Sequence, residues 1–189
     1  METGQQAAAL AVAFADFGRR HPAQAAAAAE FTRLLDDPAD PFVRERLAGH
    51  FTASAWLVDR SGTRALLTHH RKLGAWLQPG GHADGDGDLR AVALREAEEE
   101  TGLAGLRAGS GIFDLDRHWI PEHRGVPGHW HYDVRYVVRA GSDEDFVVSA
   151  ESLALAWRDV EAIAADRAAD ASLRRMARRW LAGPVRPTA

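Results

Sequence analysis

The chain contains no cysteine. Disulfide staples, thiolate metal ligands and thiol nucleophiles are therefore excluded. No run approaches the ~20 apolar residues that a membrane-spanning helix needs. Residues 7–15 are apolar enough to mimic the middle of a signal peptide, but Glu2 precedes them and no Lys or Arg does. Secretion is not expected, and the cytoplasm is the expected compartment. Positive charge is not in excess either, since the formal net charge is −4. That argues against general binding to nucleic acid or to an anionic membrane surface. Apolar residues are plentiful, at 46% against 26% charged over 189 residues. This composition supports a sizeable core and one domain with an extension, not a disordered chain.

Glycine, proline and periodicity divide the chain. Residues 5–17 and 22–35 are rich in alanine and predict two helices, broken by Gly18 and Pro22. They make an N-terminal extension over 1–48, which either packs on the core or serves a homodimer contact. Asp37-Pro38 and Asp40-Pro41 mark a turn-rich linker. Strands are predicted at 51–58 and 65–68 around the hairpin Asp59-Arg60-Ser61-Gly62, and at 112–119 and 131–138. Short strands are expected at 146–149 and 154–157, and helices at 159–166 and 171–181. The last helix sets Leu173, Met176, Ala177, Trp180 and Leu181 against Arg174, Arg175, Arg178 and Arg179. Its expected role is to pack its apolar side and solvate the arginines. Strands mixed with helices before, between and after them give an α/β layered domain over 49–189.

The most informative stretch is Arg95-Glu96-Ala97-Glu98-Glu99-Glu100-Thr101-Gly102-Leu103, close behind the turn Pro79-Gly80-Gly81. On a helix over 88–101, at ~100° per residue, Leu89, Val92 and Ala93 share one stripe with Glu96, Glu99 and Glu100. The stripe begins apolar, as if facing a core, and turns acidic. Carboxylates at i, i+3 and i+4 repel one another, and the negative pole of the helix dipole disfavours them. Gly102 is placed to end the helix in a left-handed cap. The bland alternative is a solvated acidic face. The apolar start of the stripe argues instead for a divalent cation on hard oxygen ligands, Mg²⁺ or Mn²⁺.

Gly81 to Leu103 resembles the Nudix box. Gly81 takes the opening position, and Arg95, Glu96, Ala97, Glu99, Glu100, Gly102 and Leu103 take the closing ones. The lead-in Trp76-Leu77-Gln78-Pro79-Gly80-Gly81 is similar to the family's, as is Glu151-Ser152 followed by Trp157. One position departs: the family's first glutamate falls on Gly87, flanked by Asp86 and Asp88. In the family that glutamate mainly braces the loop and the box arginine. The run Asp84 to Asp88 fails as a calcium loop, because Leu89 stands where that loop needs glycine and Arg95 where it needs glutamate. It reads instead as a turn ending in a helix cap at Asp86 or Asp88. The resemblance implies the Nudix fold, a mixed sheet between helices. It also implies an Mg²⁺-dependent hydrolase of a phosphoanhydride bond in a nucleoside diphosphate derivative or a nucleoside triphosphate. The alternative is a catalytically weak module that holds or senses a nucleotide. The absence of cysteine counts against the isoprenoid isomerases, a related side-branch that uses one.

Within that reading Glu96, Glu99, Glu100 and the Gly81 carbonyl are the metal ligands. Arg95 joins the glutamates as catalytic, chiefly through ion pairs. The general base is Glu96, or a loop acid among Glu122, Glu144 and Glu151. Gly80 and Gly81 let phosphate approach the backbone. Arg71 and Lys72 are either phosphate contacts or solvated charges. Trp119, Trp130 and Tyr132 either stack on a base or pack between strands. His129, His131 and Asp133 alternate so that all three point one way on a strand. They offer a second metal site or a substrate-contact face. The expected partner is a small nucleotide-type substrate.

Overall fold

The computed structural model describes residues 3–71, 74–123, 125–148 and 152–183. Helix α1 spans Thr3–Arg20, and a 3-10 turn over Pro22–Gln24 leads into α2, Ala25–Leu35. Strands β1, His50–Val58, and β2, Arg64–His70, follow, then β3, Ala75–Leu77, and β4, Gly80–His82. The acidic stretch lies on α3, Leu89–Thr101. Long strands β5, Arg107–Ile120, and β6, His129–Arg139, precede β7, Ser152–Asp159. Helices α4, Val160–Ala165, and α5, Ala171–Leu181, end the described chain.

The strands form one mixed sheet in the order β3-β2-β1-β6-β5, with β4 also on β1 and β7 on β2. β1 and β6 run parallel, with His50 beside His131 and Thr52 beside Asp133. The other pairings are antiparallel. Alternation along β1 decides what each face of the sheet meets. Phe51 and Ala53 pack with Phe14, Phe17 and Phe31 of α1 and α2 and with Leu89, Val92 and Ala93 of α3. Trp56 and Val58 pack on the other side with Leu173, Met176 and Ala177 of α5. The sheet therefore lies between helices. β1 is buried along its whole length, so it lacks the alternation of a half-exposed strand.

Of two short strands, β4 falls on the turn predicted at Pro79-Gly80-Gly81, and β3 falls in a stretch where the sequence predicts no strand. Each is only three residues long, too short for a periodic signal. Residues 146–148, predicted as a strand, are irregular here, with Val147 N–H on the Thr101 carbonyl at 2.7 Å. Ser149 lies outside the described residues, as do Lys72 and Glu151. Among the described residues no helix is long and apolar enough to cross a membrane.

The arginines of α5 are not simply solvated. Asp114 on β5 is fully buried and meets Arg175, with Nη2–Oδ2 at 2.6 Å, and Arg179, with Nη1–Oδ1 at 2.8 Å. Arg135 on β6 completes the cluster at 3.4 Å from Asp114, 3.3 Å from Asp116 and 2.7 Å from Asp133. Three buried or half-buried cations thus face three carboxylates, and α5 is pinned to the sheet by charge as well as by its apolar stripe.

Candidate functional site

Asp88 caps α3 by accepting from the Ala91 N–H at 3.0 Å. Gly102 ends it with φ 69°, its N–H on the Glu98 carbonyl. Only glycine adopts that backbone without strain. Glu96, Glu99 and Glu100 therefore occupy the final turns, where the dipole disfavours them. Leu89, Val92 and Ala93 are buried, so the stripe does start inward.

β4 lies against that acidic end. It pairs with β1 through Gly80–Ser54, Gly81–Ala53 and His82–Thr52. A Cβ on Gly80 would sit 2.8 Å from the Ala53 carbonyl oxygen. On Gly81 it would sit 2.5 Å from Glu96 Cδ. The diglycine is thus a fit for two close approaches, one to backbone and one to a carboxylate. The Gly80 N–H also donates to Glu100 Oε1 at 3.0 Å. Two of the three carboxylates converge on the diglycine. Glu99 is different: its side chain is 64% exposed and turned towards water, with Arg95 Nε at 4.0 Å. Burial pushes the Glu96 carboxyl above the usual carboxylate range, against the opposing pull of Arg95.

Arg95 ties this corner together. It donates to Glu96 at 3.3 Å and to the His82 carbonyl at 3.5 Å, and lies 3.8 Å from Asp86. Asp86 and Asp88 thus divide the work next to Gly87: one carboxylate faces the arginine and the other caps the helix.

A family model described as NUDIX domain matches residues 49–180. The chain belongs to that family. Among solved structures it is similar to a MutT protein from Methanosarcina mazei Go1, at 22% identity and a TM-score of 0.57, covering 72% of this chain and 96% of that one. It is also similar to a C. elegans Ap4A hydrolase, at 21% identity and 0.52, covering 70% and 95%. A third is the E. coli dihydroneopterin triphosphate pyrophosphohydrolase, at 18% and 0.53, covering 68% and 92%. At these identities the structures show a shared fold. None of the curated proteins matches the chain by sequence. Together with the family match, the fold makes this chain a hydrolase of the Nudix type.

The remaining candidate residues of this Nudix domain divide between the two faces of the sheet. His129, His131 and Asp133 share the face opposite α3. Asp133 there accepts from Thr52 at 3.1 Å and Ser54 at 2.8 Å, with Gln78 at 3.3 Å. Trp119 and Trp130 lie on the other face, 5.2 Å apart and edge to face. Arg117 sits 4.2 Å over the Trp130 ring and bonds Glu30 of α2 at 2.9 Å. Tyr132 packs edge to face on Phe31 at 5.2 Å. Trp130 and Tyr132 are thereby bound into the contact with the N-terminal helices, while Trp119 stays 51% exposed.

The loop acids separate as well. Glu144 accepts from the Arg60 N–H at 3.0 Å and from Arg64 at 2.6 Å, which ties it to the β1–β2 hairpin. Glu122 is exposed on the β5–β6 loop. Arg71 donates to the Ser152 carbonyl at 3.2 Å.

Two residues absent from the sequence reading join His131. His50 and His82 each bring a ring nitrogen to it, and the three ligand atoms lie within 4.8 Å of one another. Burial, then Arg44 and His50, pushes the His82 imidazole down to about 4. His131 is pushed down further, first by burial and then by its histidine neighbours His82, His50, His118 and His129. Burial thus favours the neutral form of both rings. The adjacency of His50 and His131 needs the parallel β1–β6 register, which the sequence does not state.

Proposed function

We propose that this Nudix hydrolase cleaves a phosphoanhydride bond in a nucleoside diphosphate derivative or a nucleoside triphosphate, with Mg²⁺ or Mn²⁺ as cofactor. The observation that carries the proposal is the convergence of Glu96 and Glu100 on Gly80-Gly81. The residues fit a hard divalent cation. Glu96, Glu99, Glu100 and the Gly81 carbonyl offer oxygen donors only, and the first three stand where a helix end repels negative charge. Bound there, the cation would neutralise pyrophosphate charge and acidify a water.

The chain's own residues set the rest. Arg95 orients Glu96 through its 3.3 Å contact and so acts as a positioning residue. Glu96, raised by burial and beside the diglycine, is the proposed proton acceptor among the candidate bases that the structure describes. Gly80 and Gly81 let the β1 backbone and the Glu96 carboxylate close on this corner, which sets where the carboxylates stand. Asp133 is buried, bonded to Thr52, Ser54 and Arg135, and faces away from that corner, so the exposed Trp119 ring is the proposed stacking contact for the nucleotide part.

The test is turnover of a panel of nucleoside triphosphates and nucleoside diphosphate derivatives with Mg²⁺, wild type against Glu100→Gln. Glutamine keeps an oxygen for the Gly80 N–H but removes the charge. Turnover should fall at least ~100-fold. No turnover above the variant's on any compound would sink the proposal. Calorimetric binding without turnover would favour a nucleotide-holding module instead.

A further inference from the structure

We propose that His50, His82 and His131 form a second metal site, for a borderline cation such as Zn²⁺ or Co²⁺, on the sheet face away from α3. The proposal does not rest on the hydrolase reading. It starts from three strands: β1, β4 and β6 each deliver one imidazole to the same point, with ligand atoms within 4.8 Å of one another. The rings crowd closely, with centroids 5.2 Å apart for His50–His82, 5.0 Å for His50–His131 and 5.0 Å for His82–His131.

Tautomers show which nitrogens carry lone pairs. His50 Nδ1 lies 3.2 Å from the Arg46 carbonyl, which can only accept, so that nitrogen holds the proton. Nε2 of His50 is then a bare acceptor. The residue is 1% exposed, and Nε2 has no hydrogen-bond partner. A buried acceptor without a donor is costly, on the order of 1–3 kcal/mol. His129 repeats the pattern, with Nδ1 2.8 Å from the Pro127 carbonyl, so its Nε2 also lacks a proton. His131 Nε2, 3.2 Å from His129 Nε2, must donate to make that hydrogen bond. The lone pair of His131 is thereby left on Nδ1.

Ligating histidines characteristically anchor their other nitrogen on a carbonyl or a neighbouring acceptor in this way. A cation supplies what His50 Nε2 lacks. Imidazole ligands select Zn²⁺ or Co²⁺ over Mg²⁺, so this site and the carboxylate site take different ions. The intermediate exposure of His82 and His131 provides an entry path. By alternation along β4, Gly81 faces Glu96 while His82 faces the histidines, so a single strand would separate the two sites.

The test uses chelator-stripped full-length protein titrated with Co²⁺, read by visible d–d absorption, followed by displacement with Zn²⁺. The expected result is one equivalent bound with tetrahedral-type absorption, resistant to excess Mg²⁺. His82→Asn and His131→Asn should each weaken binding more than ~100-fold, exceeding the loss typical of outer-shell changes. Glu99→Gln should not. Zn²⁺ at 100 times its dissociation constant should raise the wild-type Tm by about 5–10 °C. No stoichiometric Co²⁺ or Zn²⁺ binding by folded wild type, or equal affinity in both folded histidine variants, overturns the proposal.

Discussion

Gly81→Ala separates folding from chemistry. The backbone at Gly81 is outside the left-handed region, so alanine meets no conformational strain. Its Cβ would stand 2.5 Å from Glu96 Cδ, where ordinary contact begins near 3.4 Å. The carboxylate must retreat by roughly 1 Å, and a misplacement of that size costs on the order of 100-fold in rate. That equals ~2.7 kcal/mol of transition-state stabilisation. Stability should barely change. The obstacle is the far end of a flexible side chain, an off-rotamer Glu96 costs about 0.5–1.5 kcal/mol, and the loss of glycine returns about 0.4–1 kcal/mol. Gly80→Ala is the contrast. Its Cβ meets the Ala53 carbonyl oxygen and Ser54 Cα, both at 2.8 Å, and backbone cannot swing aside. Overpacking of that kind costs about 1–3 kcal/mol. Steady-state kinetics and urea unfolding of both variants check the reasoning. Wild-type kcat in Gly81→Ala, or a loss of activity that tracks loss of folded protein, refutes it.

Asp114→Asn should destabilise the fold by about 3–5 kcal/mol in urea, because it takes one carboxylate from three arginines in a buried cluster. A loss under about 1 kcal/mol would show that water, not Asp114, compensates those cations. Asp116 gives the chain a pH dependence. Burial alone would raise its carboxyl, but the His118 hydrogen bond, Arg135 and Arg175 outweigh burial and hold it well below the usual carboxylate range. A depressed carboxyl stabilises fully above its unfolded value of ~3.9, and that stability is lost as pH falls below it. His118 is the converse case: burial lowers it, but Asp116 and Asp133 outweigh burial and raise it. Its contribution is complete below ~6.5 and lost as pH rises through the folded value. Unfolding free energy measured across pH should therefore slope at both ends in the wild type and flatten in Asp116→Asn. Parallel curves would contradict the assignment.

The box helix was legible because its signals are local. Cap, apolar start, acidic end and terminal glycine all lie within fifteen positions, Asp88 to Gly102, and each has a mechanism. The long strands were legible from β-branched and aromatic residues bounded by turns. What stayed hidden depends on register. β3 and β4 are too short to show a period, and β4 is held by its pairing with β1 rather than by its own residues. The histidine cluster needs β1 beside β6 in parallel and β4 beside β1, two pairings distant in sequence. His-x-His-x-Asp on β6 was visible as a one-sided row; its partners were not. The partners of Arg175 and Arg179 on α5 stay hidden for the same reason. A basic helical face reads as solvated until an aspartate buried on another element is known to lie beneath it. Glu99 lies on the flank of the stripe, ~80° from Leu89 at ~100° per residue, and its side chain meets water rather than core.

Gly87 links the extension to the chemistry. A Cβ there would meet Gln6 of α1, with Oε1 at 2.8 Å and Cβ at 3.0 Å. A longer side chain there fits only if the Gln6 side chain swings aside. The space directly beside Gly87 is thus occupied by the Gln6 side chain. What that glutamate does for the arginine falls to Asp86, one residue earlier and 3.8 Å from Arg95, with Glu96 and the His82 carbonyl completing the set. Gln6 of α1 packs on the loop at Gly87, and the neighbouring Asp86 faces the arginine that holds Glu96 beside the diglycine.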